Sequence, residues 1–149
     1  MFIVNVEGAI HRNGKWLLIR RSHKEEHAGG MLSLVGGKCE LEGNSIDILE
    51  RTLQREVFEE VGLEVKELTY VNSSSFVTDS GVNVIDVVFF CHQASGEAYA
   101  KSSDEVDEVL WLSTSEILSH QGIPEYLKVN ITLAHQTIDN SMNLKGGCK

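Results

Sequence analysis

The chain has 149 residues, 42% of them hydrophobic, which is enough for one domain around one core and leaves little for a second. Thirteen basic against 22 acidic residues give a formal charge of −9, so a surface that grips polymeric nucleic acid is excluded, and a small anionic substrate would need a bridging cation. No run approaches the ~20 apolar residues that span a bilayer, and the first residues lack a basic start followed by an apolar stretch. A soluble, cytoplasmic protein without a membrane partner is expected.

Residues 3–10 and 15–20 are β-rich, and Asn13-Gly14 between them tolerates the positive φ angles of a tight turn, which predicts an antiparallel hairpin. The polar stretch 22–45 carries Gly29, Gly30, Gly36, Gly37 and Gly43 and reads as loop. From 45 to 61 the residues Leu49, Leu53, Val57 and Val61 recur every fourth position, the stripe of a half-buried helix. Asn44 is the expected cap, with Asp47 in the capping-box position, and Gly62 is the expected stop.

Two further β-rich runs, 67–77 and 82–92, flank the turn Asp79-Ser80-Gly81 and predict a second antiparallel pair. Residues 109–112 read as a short strand. Ser113 and Glu116 then form an S-x-x-E capping box that opens a short helix. Pro124 suits the first turn of a final helix bearing Leu127, Ile131, Ala134 and Ile138, and the tail from about residue 140 is expected to be disordered. Without repeats or a linker, the pattern predicts a single α/β domain, 1–149, with a mixed sheet flanked by helices. Cys39, Cys91 and Cys148 are odd in number and lack C-x-x-C spacing, so reduced thiols are expected.

The chemistry concentrates on the central helix. Glu56, Glu59 and Glu60 stand at i, i+3 and i+4, which places three carboxylates on one face. Each like-charge pair on a helix destabilises by roughly 0.2–0.5 kcal/mol, so such a cluster either lies in water or neutralises something. Hard divalent cations take oxygen ligands, and magnesium combines one or two carboxylates with water and phosphate oxygens. The bland alternative is a solvated acidic face. The preceding pair Gly36-Gly37, and Arg55 beside Glu56 and four residues before Glu59, favour the cation site.

The run R-E-V-F-E-E-V-G-L, residues 55–63, resembles the box of the Nudix (MutT-like) hydrolases, G-x5-E-x7-R-E-U-x-E-E-x-G-U, where U is bulky and aliphatic. Arg55, Glu56, Val57, Glu59, Glu60, Gly62 and Leu63 fill every fixed position of its second half. The first half differs: four more residues lie between Gly37 and Arg55 than the pattern has, and Asp47 stands where its first glutamate would be. A longer loop between strand and helix accommodates this cheaply. The likeness in element order covers about nine-tenths of the chain.

That resemblance implies a Nudix-type α/β/α sandwich. It implies a Mg2+ site, with Mn2+ able to replace Mg2+, held by Glu56, Glu59 and Glu60 and a backbone carbonyl of Gly37, with Arg55 orienting the glutamates. A further glutamate from the loop before the last strand, Glu105 in preference to Glu108, completes it. The implied reaction is attack of a metal-activated water on the diphosphate linkage of a nucleoside diphosphate derivative, of the nucleoside triphosphate or nucleotide sugar class. Glu59, Glu60 and Glu105 are all open as general base. A homodimer is compatible with the family.

Three other signals have plainer explanations. His23 to His27 fits H-x-x-E-H, a zinc-peptidase motif that needs a long helix, but it lies between a strand and Gly29-Gly30, where a solvated loop is expected. Trp16, Trp111, Phe89 and Phe90 read as sheet packing rather than base-stacking groups. His92, His120 and His135 are isolated. Asp79 and Gly81 occupy the places where the ADP-ribose and dinucleoside polyphosphate branches of the family carry proline and tyrosine. The spacing of Leu17 to Ser22 with Gly30, Gly36 and Gly37 matches the coenzyme A branch, but Ile19, Glu26, Leu34 and Val35 replace its distinguishing residues. A noncatalytic Nudix-fold module that binds a nucleotide and regulates something else is the competing function.

Overall fold

The computed structural model describes residues 1–25 and 28–147. In chain order its elements are β1 (Phe2–Arg12), β2 (Lys15–Arg21), β3 (Leu32–Ser33), β4 (Val35–Lys38), α1 (Ile48–Val61), β5 (Glu64–Val77), β6 (Asn83–Ser95), β7 (Val106–Leu112), α2 (Thr114–Ser119) and α3 (Glu125–Gly147). Asn13 (φ 53°) and Gly14 (φ 77°) both take the left-handed backbone of a two-residue hairpin turn, which sets His11 opposite Trp16. The two strands then part. β1 continues antiparallel to β4 and runs parallel to β6 from Phe2–Asn83 to Ile10–Cys91. β2 continues antiparallel to β3 and β7. β5 closes the other side of β6, antiparallel as expected.

The period-two alternation of the strands sorts side chains into two cores. Val6, Ile10, Leu17, Ile19, Val87 and Phe89 face one way and meet Leu53, Val57 and Val61 of α1. Ala9, Trp16, Leu18, Val88 and Phe90 face the other way and meet Ile117 of α2 and Leu127, Ile131 and Ala134 of α3. A mixed sheet between helices is therefore the architecture, as the sequence predicts. Trp16 is fully buried and its indole N–H donates to the Thr114 hydroxyl at 2.9 Å; Trp111 packs partly buried against the α1 core.

Four local expectations need correction. The stretch 22–45 is not all loop, because Leu32, Leu34 and Val35 are buried and their short strands pair with β2 and β1. Helix α1 begins at Ile48, three residues later than expected: Asp47, in the left-handed conformation (φ 54°), stands as the N-cap without a side-chain bond, and Asn44 does not cap. There the Arg51 guanidinium holds the turn, donating to the Ile46 carbonyl at 2.8 and 3.0 Å and pairing with Glu42 at 2.7 Å. β5 starts at Glu64 and β7 at Val106, each three residues early. Helix α3 continues to Gly147, past the point where the sequence predicts disorder. Gly62 (φ 78°) does end α1, and both halves of the Ser113–Glu116 capping box are formed.

Gly36 is where β4 can approach β1. A Cβ at this position would lie 1.9 Å from the Val6 carbonyl oxygen, and backbone cannot yield as a flexible side chain can. Gly36→Ala is therefore expected to cost about 3 kcal/mol or more, a fall in Tm of roughly 6–12 °C by thermal denaturation. A wild-type Tm in that variant would contradict the packing described.

Candidate functional site

Helix α1 presents two chemically opposite faces. Leu53, Val57 and Val61 anchor it on the sheet, and Glu56 and Glu60, one turn apart, rise beside that anchor. Anchoring determines how deep the carboxylates sit: Glu60 is only 6% exposed, Glu56 is half-buried and Glu59 is exposed. Gly37 leaves room for Glu56, because a Cβ there would come within 2.4 Å of the Glu56 carboxyl carbon. The Arg55 guanidinium donates to Glu56 Oε1 at 3.2 Å and to the Lys38 carbonyl at 3.4 Å, and pairs with Glu40 at 3.3 Å.

Glu105 arrives from a different part of the chain. The last carbonyls of a helix have no partner within it. Here Tyr99 N–H donates to the Val61 carbonyl at 3.1 Å and Lys101 N–H to the Glu60 carbonyl at 3.0 Å, which lays residues 99–102 against the end of α1. A turn follows, with Glu105 N–H and Val106 N–H both donating to the Ser102 carbonyl. Glu105 is thereby brought to α1, and carboxylate oxygens of Glu56, Glu60 and Glu105 all lie within 4.8 Å of one another. Of the residues singled out in the sequence, Glu56, Glu60 and Glu105 come together, Gly37 and Arg55 border them, and Glu59 lies outside the group.

The cluster is electrostatically strained. Burial, then the charges of Glu105 and Glu56, push the Glu60 carboxyl up to about 9, and Arg21 only partly offsets them. Burial also raises Glu56, against the opposing pull of Arg55. Oxygen donors in this number and at this spacing are the donor set that a hard divalent cation takes.

The sequence reading missed two features. Arg21, at the end of β2, is the cation acting on Glu60. On the α3 face Asn5 donates to Asp86 at 2.7 Å, and burial together with a hydrogen bond that the Glu7 carboxyl donates to Asp86 holds Glu7 well above its usual range. The signal was available in β1, where alternation puts Asn5 and Glu7 on one face of a strand that is otherwise apolar from Phe2 to Ile10. The zinc motif finds no helix: His23 lies in a turn after β2 with its Nδ1 on Asp107 at 2.5 Å, and His27 lies outside the described residues.

The NUDIX domain matches residues 2–130. The chain belongs to the NUDIX domain family. It is 32% identical over 136 residues to the NAD-capped RNA hydrolase NudC of Actinobacillus succinogenes, covering 89% of this chain and 46% of that protein. It is 30% identical over 124 residues to the human mitochondrial NAD(P)H pyrophosphatase NUDT13, covering 73% and 33%. The chain thus spans less than half the length of either relative. The crystal structure of a MutT protein from Methanosarcina mazei Go1 superposes with a TM-score of 0.78 at 26% identity, covering 91% of this chain and 94% of that one. No helix among the described residues is long and apolar enough to cross a membrane.

The raised carboxyls set the sign of a pH effect. Between about pH 4.5 and 9 the unfolded chain has released the Glu60 proton while the folded, cation-free protein retains it, so stability falls as pH rises through that window. Differential scanning fluorimetry without divalent cation is expected to record a Tm falling by about 5 °C or more from roughly pH 5 to 9. Added Mg2+ should restore more at the alkaline end. Glu60→Gln should flatten both responses; a variant that keeps the wild-type pH slope would sink this electrostatic account.

Proposed function

We propose that the chain is a divalent-cation-dependent hydrolase that cleaves the diphosphate linkage of a nucleoside diphosphate derivative. The observation that carries this reading is the convergence of Glu56 and Glu60 of α1 with Glu105 within 4.8 Å in a NUDIX domain. Those three carboxylates are the proposed cation ligands, with Mg2+ the natural occupant and Mn2+ its substitute. When bound, the cation supplies charge neutralisation for phosphate oxygens and acidifies coordinated water. Arg55 fixes the Glu56 carboxylate by its 3.2 Å bond and keeps it turned toward the Gly37 backbone. Arg21 moderates the charge on Glu60.

Glu59, exposed and one turn beyond Glu56, is the carboxylate outside the ligand group, and it is proposed to accept the proton of the attacking water. The substrate class is a nucleoside triphosphate, a nucleotide sugar or a dinucleotide. The two relatives are an NAD(P)H pyrophosphatase and an NAD-capped RNA hydrolase, so NAD(H) belongs first in a screen.

The screen uses nucleoside triphosphates, nucleotide sugars, NAD(H) and coenzyme A with Mg2+, with products separated by chromatography. Turnover of at least one diphosphate, abolished by chelator, is expected. Binding without turnover would instead favour the noncatalytic module. Once a substrate is found, Glu59→Gln should lower kcat by about 10²–10⁴ while preserving Mn2+ affinity, whereas Glu60→Gln should weaken both. Wild-type turnover in Glu59→Gln would remove that residue from the reaction.

A further inference from the structure

Glu105 sits on a turn rather than on a helix or strand, so its place beside Glu56 and Glu60 is set by what holds residues 102–107. The helix end holds one side, as described. The other side meets the three residues that follow β2. Ser22, 1% exposed, donates its backbone N–H to the Glu105 carbonyl at 2.9 Å, and its hydroxyl accepts from Lys24 N–H at 3.2 Å. His23 reaches Asp107 twice, through its backbone N–H at 3.3 Å and its ring Nδ1 at 2.5 Å. Lys24 pairs with Asp104 at 3.4 Å. The far side of the imidazole is set by Gly30, where a Cβ would come within 3.1 Å of Nε2. Residues 22, 23 and 24 thus grip 105, 107 and 104 in turn.

We propose that His23 and Asp107 are a positioning pair, which clamps the turn to the end of β2 and so holds the Glu105 carboxylate against Glu56 and Glu60. This rests on the cation site proposed above. With Asp107 ionised, Nδ1 is the donor, and the bond fixes both the ring and the turn. The His23 side chain is 77% exposed and that of Asp107 33%, and a surface pair of this kind contributes little to global stability. Its effect falls on the geometry of one ligand. The positioning role therefore separates from a structural one, because it changes cation affinity without changing Tm.

The test is Mn2+ titration followed by electron paramagnetic resonance of the free ion, with Tm recorded alongside. It compares wild type, His23→Ala, His23→Asn, Asp107→Ala, Glu105→Gln and the double variant His23→Ala/Glu105→Gln. His23→Ala and Asp107→Ala are expected to weaken Mn2+ binding about tenfold, with Tm within about 2 °C of wild type. His23→Asn, whose side-chain amide can donate to Asp107, should recover most of the affinity. The double variant should bind no more weakly than Glu105→Gln alone, because the clamp acts only through that carboxylate. Wild-type affinity in His23→Ala, or an equal loss in both backgrounds, overturns the positioning role and leaves the cation site standing. Unchanged affinity in Glu105→Gln removes the third ligand, and the inference falls with it.

Discussion

Three carboxylates within 4.8 Å, one of them almost wholly out of water, cannot all be charged unless something positive lies among them. The rest of the molecule is arranged around that constraint. Leu53, Val57 and Val61 fix α1 on the sheet and thereby sink Glu60, since a helix that buries one face carries the edge of the next face down with it. Gly37 gives up a side chain so that Glu56 can occupy its space. Residues 99–102 use the helix's own orphan carbonyls to bring in a glutamate that the helix could not supply. Either a proton or a cation would resolve the crowding, and under the proposed function the choice between them would couple the site to pH and to metal.

Much of this was legible beforehand, and the reasons are physical. The four-residue stripe on α1, the turn at Asn13-Gly14 and the Ser113 capping box are encoded by neighbours in the chain, and each appears where the sequence places it. The local misses also have a common cause. Whether 32–38 becomes strand depends on β1 and β2 being there to receive it, and Gly36 reads as loop punctuation although its role is to let two backbones touch. Asn44 satisfies every local rule for a cap, yet Arg51 and Glu42 build a different helix start.

The candidate site divides the same way. Helical spacing puts Glu56, Glu59 and Glu60 on one face, but spacing is silent on depth, and depth separates Glu60 from Glu59. Glu105 entered through family resemblance, and the only local mark in its favour is that Glu108 lies nearer the strand. In the structure Glu108 instead pairs with Arg20 at 2.7 Å on β2, which leaves Glu105 at the turn. Arg21 and Asp86 act on groups from distant segments, and no local reading joins them to Glu60 or to the Asn5 and Glu7 pair that the alternation of β1 offers. His23 was weighed as half of a zinc motif, and its partner proves to be a carboxylate far along the chain.

The parallel pairing of β1 with β6 joins residues 81 positions apart along its whole length. During synthesis β1 leaves the ribosome before β6 and its hairpin with β2 can close at once, but one full edge of β1 stays open until β6 has been made. Loop closure of that span is entropically slow, and an open apolar strand edge is the surface on which chains mispair. The segment that carries Glu105 emerges later still. The acidic site is thus completed only once the segment after β6 has been made, and a cation that binds it would select finished molecules over unfinished ones.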